Sequence, residues 1–152
     1  MSSTGIAGKP ARKFNIRFTE RIYRLHLGGI MNHAPRGNGI YELVVFPPGA
    51  EDGKVLHIGH VPQGGSIAEH LQAIFEGRGG LPDEKLAVVK AAMADLYFDA
   101  VLTADCADEA DWKDLAWALV QAKQPPLNAG AAEPHSGRYS DLSFEELPHS
   151  NP

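Results

Sequence analysis

Apolar residues in the middle of the chain follow two spacings, one typical of strands and one typical of helices. The segment IYELVVF, residues 40–46, is almost continuously apolar, and KVLHIG, residues 54–59, is a second short segment of this kind. The PPGAEDG sequence between them consists of turn-forming residues, so the two segments predict a β-hairpin. A further strand is predicted at residues 97–104, YFDAVLTA.

Helical spacing follows the hairpin. Ser66 and Glu69 have the spacing of a capping box, and the helix that begins there is predicted to end at Gly77. Its apolar face comprises Ile67, Leu71, Ile74 and Phe75. A second helix is predicted after Pro82, and its inward-facing residues are Leu86, Val89 and Met93.

The last predicted helix runs from Asp111 to Lys123 and stops before the prolines at 125 and 126. Its apolar face comprises Trp112, Leu115, Ala116, Leu119 and Val120. The order hairpin, helix, helix, strand, helix indicates a small α+β domain with one short sheet.

The two ends of the chain give weaker patterns. Residues 1–12 are small and polar, which predicts disorder. Residues 13–27 mix alternating and helical spacing, so a strand and a helix are both open there. Residues 28–39 predict a loop. We therefore divide the chain into a basic arm at residues 1–36, a central domain at 37–129 and a polar tail at 130–152.

Composition and charge narrow the classes of protein. A length of 152 residues fits one domain, and no apolar run approaches the length of a membrane span. The start of the chain lacks the apolar core of a secretory signal, so we expect a cytoplasmic location. The single cysteine, Cys106, excludes an internal disulfide and a cysteine-based metal cluster.

The net charge of -5 is unevenly distributed. Residues 1–40 contain seven lysines and arginines and one acid, whereas residues 41–152 contain seven basic and eighteen acidic residues. The basic segment is either a solvated leader or a nucleic-acid-binding arm, and the candidate contact residues are Lys9, Arg12, Lys13 and Arg17. The polar tail is either a plain tail or a peptide that docks on a protein partner through Tyr139, Leu142, Phe144 and Leu147.

Residues 57–60, His-Ile-Gly-His, match the phosphate-binding signature of class I aminoacyl-tRNA synthetases and nucleotidylyltransferases. In those enzymes the signature follows a parallel strand and works with a lysine-rich loop. Here it ends the second arm of a predicted hairpin, which is antiparallel. The downstream lysines are scattered along helices rather than gathered in a loop, so this interpretation is disfavoured.

A second family fits the same residues. Gly39-Ile40-Tyr41 begins the first predicted strand, His57-Ile58-Gly59 ends the second, and the last helix leads through Lys123 and Pro125 into Asn128. These motifs and the order of elements resemble the GIY-YIG nuclease superfamily over residues 37–128. The hairpin loop at 47–53 is longer than is usual in that family. The resemblance implies a short, mostly antiparallel three-stranded sheet packed with about three helices.

The resemblance also implies a metal-dependent phosphodiesterase site. Two tyrosines would flank the scissile phosphate, an arginine on the first helix would stabilise charge, and a glutamate on the last helix would hold Mg²⁺. By position, Tyr41 and Asn128 match the family, His57 replaces the second tyrosine, and His70 falls at or beside the arginine. The glutamate position is Ala116, which belongs to the apolar helix face.

The loss of this carboxylate decides the expected function. Asp114 and Asp111 lie about 200° and about 140° around the helix from residue 116, so neither replaces it. His57, His60 and His70 would form an alternative site only if they converge, which the spacing leaves open.

We therefore expect an inactive nuclease-like domain without a cofactor or metal, acting with a protein partner as an interaction or structural subunit, and no membrane contact. The alternatives are a divergent Mg²⁺-dependent endonuclease and a nucleic-acid-binding module that does not cleave.

Overall fold

The computed structural model describes residues 8–128 and 135–148. Within these ranges the strands are β1 (Ala11–Phe18), β2 (Tyr23–Arg24), β3 (Gly39–Val45), β4 (Lys54–Val61), β5 (Leu96–Ala104) and β6 (Asp141–Glu146). The helices are α1 (Leu27–His33), α2 (Ile67–Phe75), α3 (Asp83–Ala91) and α4 (Glu109–Lys123), with 3₁₀ turns at Met93–Asp95 and Pro126–Asn128. No helix in the described ranges is long and apolar enough to cross a membrane.

The strands form one mixed sheet in the order β4-β3-β5-β1-β6, and the short β2 pairs with β5. β1 and β6 are parallel, and the other pairs are antiparallel. The predicted hairpin is confirmed as β3 and β4, in a register that places Tyr41 opposite Gly59 and Leu43 opposite His57. Because side chains alternate along a strand, Tyr41 and His57 share one face of the sheet.

The predicted sheet of three strands with about three helices is wrong, since the described residues form six strands and four helices. Of the three additional strands, β1 and β2 come from the segment before the predicted central domain and β6 from the segment after it. The additional helix α1 forms where a loop was predicted, and the Nδ1 atom of His26 caps it by accepting from the Gly29 N–H at 3.0 Å. The parts of the predicted arm and tail at residues 1–7, 129–134 and 149–152 lie outside the described residues.

The sheet separates two apolar clusters. The first lies under α1, α2 and α3 and includes Tyr41, Leu43, Leu71, Val89 and Phe98. The second lies under α4 and includes Phe14, Ile16, Ile58, Leu115 and Leu119. The predicted apolar face of the last helix is confirmed, because all five of its residues belong to or pack against the second cluster.

The C-terminal segment is fastened to the N-terminal half of α4. Asp114 is fully buried and accepts hydrogen bonds from both the backbone N–H and the Oγ of Ser136, each at 2.7 Å. Arg138 Nη2 lies 2.8 Å from Asp111 Oδ1 and 3.3 Å from Asp114 Oδ2. These bonds place residues 135–140 so that β6 continues alongside β1.

Candidate functional site

A cleft opens at the outer edge of β4, between the segment that joins α2 to α3 and the exposed side of α4. Its volume is about 270 Å³. The strands supply its floor and the helices its walls. The side chains that line it include Tyr41, His57, His70, Lys85, Lys113 and Trp117.

Tyr41 lies at the floor of the cleft and is completely buried. Its ring centroid is 6.0 Å from that of His57 and 5.3 Å from that of His70. Gly59 on β4 makes room for this ring, because a Cβ atom there would overlap it. Burial raises the pKa of the Tyr41 hydroxyl, and within the described residues its Oη has no hydrogen-bond partner. The hydroxyl is therefore neutral.

His57 is 8% exposed and lies beside Tyr41 on the same face of β3 and β4. Burial first, and then electrostatic repulsion by Lys85 and His70, lowers its pKa to about 4. The ring is therefore neutral at physiological pH. Its Nδ1 atom is buried and has no partner among the described residues.

His70, on α2, completes the group around Tyr41. Its Nε2 atom lies 3.0 Å from the carbonyl oxygen of Gly80, at the end of the segment that follows α2. Since a carbonyl oxygen only accepts, Nε2 carries the proton of this bond. The side chain at or beside the family's arginine position thus holds the cleft wall in place.

Asn128 bonds the free edge of β4. Its Oδ1 accepts from the Ile58 N–H at 2.8 Å, and its Nδ2 donates to the Ile58 carbonyl at 3.0 Å. The amide therefore pairs with one residue of the edge strand as a neighbouring strand would. Both ends of the Asn128 side chain are engaged in this structural role.

The three histidines do not all converge. His57 and His60 are three residues apart on β4 and therefore lie on opposite faces of the strand. His60 Nε2 is paired instead with Glu109 Oε2 at the start of α4, at 2.6 Å. His57 and His70 meet around Tyr41, and His60 fastens α4 to the sheet edge.

The cleft does not fit the Mg²⁺ site that the resemblance implies. Ala116 lines the cleft at the predicted glutamate position and packs against the second cluster. Asp111 and Asp114 are held by Arg138 and Ser136, as described above. Among the described residues, no group of three or more His, Cys, Asp or Glu is arranged to hold a metal ion.

The predicted nucleic-acid contacts lie on or just before β1. Arg12 is paired with Asp105 at 3.4 Å, and Lys13 with Glu145 of β6 at 2.7 Å. Arg17 donates from Nε to the Pro148 carbonyl at 3.0 Å. Lys9, at an exposed position, precedes the strand. Three of the four cations are thus engaged by groups of this chain.

The predicted docking residues pack on their own domain. Leu142 and Phe144 of β6 contact the second cluster, and the Leu147 N–H donates to the Ile16 carbonyl at 2.7 Å. The Tyr139 hydroxyl lies 3.5 Å from Asp111 Oδ1. The segment therefore docks within the chain, on β1 and α4.

The opposite face of the sheet holds a buried charged group that the sequence interpretation missed. Glu42 and Asp99 are opposite each other on β3 and β5, and both are buried. Lys123 Nζ, from the last turn of α4, lies 2.7 Å from Glu42 Oε2. Burial and the neighbouring Glu42 raise the pKa of Asp99 to about 9. A carboxylate within each of two apolar runs, at residues 42 and 99, is the signal that would have revealed this group.

Comparisons with family models, curated proteins and solved structures find no match for this chain. The resemblance to GIY-YIG nucleases therefore stays a prediction from the motifs and the order of elements. The geometry adds that Tyr41, His57 and His70 meet at one cleft, with Asn128 at its edge. Lys85, Lys113 and Trp117 join them from α3 and α4, which sequence spacing alone does not reveal.

Proposed function

We propose that this chain is a GIY-YIG-like domain that does not cleave phosphodiesters and that acts in the cytoplasm as an interaction or structural subunit of a larger assembly. The observation that carries the proposal is the position of Ala116, on the cleft wall where the resemblance places the metal-binding glutamate. Lys85 and Lys113 line the same cleft, and their positive charges disfavour a divalent cation there.

The remaining family positions also support a non-catalytic role. His70 is bonded to the Gly80 carbonyl and Asn128 to the backbone of Ile58. The Tyr41 hydroxyl is neutral and buried, so it is poorly suited to activate a water molecule as a base. Each side chain is therefore retained in a position that shapes the domain.

An exposed apolar strip on α1 supports the interaction role. Leu27 and Met31 are one helical turn apart and are 43% and 54% exposed. Contiguous exposed apolar side chains mark surfaces that bind other proteins. We propose this strip as the contact with a protein partner.

A cleavage assay tests the loss of activity. Purified protein is incubated with single- and double-stranded DNA and RNA in the presence of Mg²⁺ or Mn²⁺. We expect no more cleavage than is given by an identically purified Tyr41→Phe variant. Reproducible cleavage that Tyr41→Phe abolishes would overturn the proposal and favour the divergent endonuclease.

A pull-down from the native host, with and without nuclease treatment, tests the interaction role. We expect a stoichiometric protein partner that survives nuclease and is lost from a Leu27→Ser/Met31→Ser variant. Leu102→Ser, which changes an exposed leucine on β5, is the matched control. Loss of all partners on nuclease treatment would contradict the proposal. It would favour nucleic-acid binding without cleavage, which a steep fall of affinity with salt identifies.

A further inference from the structure

We infer that the cleft between β4, α3 and α4 binds a small organic anion: a carboxylate on a compact apolar body that also carries a hydrogen-bonding group. This goes beyond the proposed function, because it assigns a small-molecule site and requires no protein partner. It rests on three independent features of the cleft, which are its floor, its charge and its walls.

The floor presents two polar atoms that the fold leaves unused. Tyr41 and His57 line the cleft, and their Oη and Nδ1 atoms are buried without a hydrogen-bond partner among the described residues. Leaving a buried polar group unpaired is unfavourable, and native proteins rarely do so without a functional reason. A ligand hydroxyl or similar group that reaches the floor would give such an atom a partner, since tyrosine and neutral histidine each donate or accept.

The charge of the cleft selects an anion. Lys85 on α3 and Lys113 on α4 line it from two walls. Within the described part of the chain neither lysine forms a salt bridge. Glu109, one helical turn before Lys113 on α4, is paired with His60 instead. Lys85 also acts on the floor, where its charge contributes to keeping His57 neutral. An anionic group between the lysines would balance the positive charge.

The walls select a compact apolar body. Leu81 and Pro82, which precede α3, face Trp117 and Val120 of α4 across the cleft. A volume of about 270 Å³ lies just below the usual range for small-molecule pockets, so it admits one small ring or branched chain. A polymer backbone has no comparable apolar body to place between these walls.

Titration of the full chain with 4-hydroxybenzoate, followed by backbone amide NMR shifts, tests the inference. This probe has the carboxylate, the compact apolar ring and the hydroxyl group. Its analogue 4-hydroxybenzamide lacks the charge, and inorganic phosphate lacks the apolar ring. We expect 4-hydroxybenzoate to shift amides of residues 57–59, 80–81 and 113–120, with millimolar or tighter affinity. We expect it to bind at least about tenfold more tightly than either comparison compound.

Lysine variants test whether the positive charge of the cleft contributes to binding. Lys85→Gln with Lys113→Gln is expected to weaken 4-hydroxybenzoate at least about tenfold and to leave 4-hydroxybenzamide unchanged. Lys90→Gln, an exposed lysine on the same helix as Lys85, is the matched control and should leave both unchanged.

Tyr41→Phe tests whether the Tyr41 hydroxyl binds the ligand or the side chain serves only for packing. It removes only the unpaired hydroxyl, so we expect equal or higher thermal stability together with weaker probe binding. The inference is overturned if 4-hydroxybenzoate binds no better than 4-hydroxybenzamide or phosphate, if it shifts amides elsewhere, or if Tyr41→Phe leaves its affinity unchanged.

Discussion

Tyr41 and Glu42 are adjacent on β3 but point to opposite faces of the sheet and meet opposite surroundings. On the cleft face, Tyr41 lies between the rings of His57 and His70, and its hydroxyl has no partner within the described part of the chain. On the α4 face, Glu42 is paired with Lys123 and lies beside Asp99. One face buries uncharged polar groups at the floor of an opening, and the other buries a carboxylate that is bonded to a lysine.

The contrast separates two reasons for burying polar atoms. The Glu42–Lys123 salt bridge joins the last turn of α4 to the middle of the sheet, so each of the two charges has its partner within the fold. Tyr41 Oη and His57 Nδ1 form no hydrogen bond within the described residues, and their side chains line the cleft. We therefore expect loss of a bonded partner on the α4 face to lower stability, and loss of the unpaired Tyr41 hydroxyl on the cleft face to alter binding instead.

The largest effect is expected from Lys123→Met, which leaves the Glu42 carboxylate buried without its cation. Uncompensated buried charges cost about 3–5 kcal/mol of the free energy of unfolding. Chemical denaturation measures the loss, and Lys90→Met on exposed α3 is the matched control. Adding Glu42→Gln to Lys123→Met should restore most of the stability. A loss below about 1 kcal/mol would mean that the pair does not hold α4 to the sheet.

The next largest effect is a loss of stability in acid that is caused by His57 on the cleft face. The pKa of His57 is lowered to about 4 in the fold and is near 6.5 when unfolded. Because the unfolded chain binds the proton more readily, stability is fully present above pH 6.5. It is lost as the pH falls towards 4, by roughly 3 kcal/mol in total.

Denaturation curves between pH 4 and 7 should reveal this loss, and His57→Gln should remove it. Replacement of the exposed His33 by Gln is the control and should keep the loss. If the NMR titration of the His57 ring has its midpoint near 6.5, the ring is more hydrated than we describe.

Gly59→Ala tests the close approach of Tyr41 to β4. The added methyl group would overlap the tyrosine ring, so we expect a destabilisation of about 2 kcal/mol. Gly37→Ala is the matched control, because nothing lies within 4 Å of a Cβ atom there. Equal melting temperatures for the two variants would show that Tyr41 moves aside freely, and the floor of the cleft would need to be redrawn.

The sequence predicts the central elements because each has a local signal. The turn residues between β3 and β4 fix the hairpin, and the Ser66 cap is observed, with its Oγ accepting from the Glu69 N–H at 3.3 Å. The resemblance places Tyr41, His57 and His70 at one site, and the structure brings them together.

The remaining elements and the cleft lysines depend on contacts with residues that are distant in sequence. In β6, charged residues surround Leu142 and Phe144, and the strand forms because β1, more than a hundred residues away, offers a free edge. The short α1 contains two glycines and is held by burial of Ile30 and the His26 cap rather than by helix propensity. Lys85 and Lys113 reach the cleft only through the packing of their helices, which no spacing encodes.

The last effect is on the α4 face and has the opposite dependence on pH. The pKa of Asp99 is raised to about 9 in the fold and is near 3.9 when unfolded, so the folded chain holds the proton more tightly. Its contribution to stability is therefore fully present below pH 3.9 and is lost as the pH rises through about 9. Asp99→Asn resembles the protonated side chain, because its amide is uncharged and can donate a hydrogen bond.

We expect the variant to match the wild type near pH 4 and to exceed it at pH 9 by at least about 1 kcal/mol in the free energy of unfolding. Asp52→Asn, at an exposed position of the β3–β4 loop, is the control and should follow the wild type throughout. A constant difference between Asp99→Asn and wild type across this range would mean that Asp99 is ionised in the fold. Asp99 would then contribute no loss of stability at high pH. The acid effect of His57 would be the one remaining pH effect of the two, and the contrast between the faces would fail.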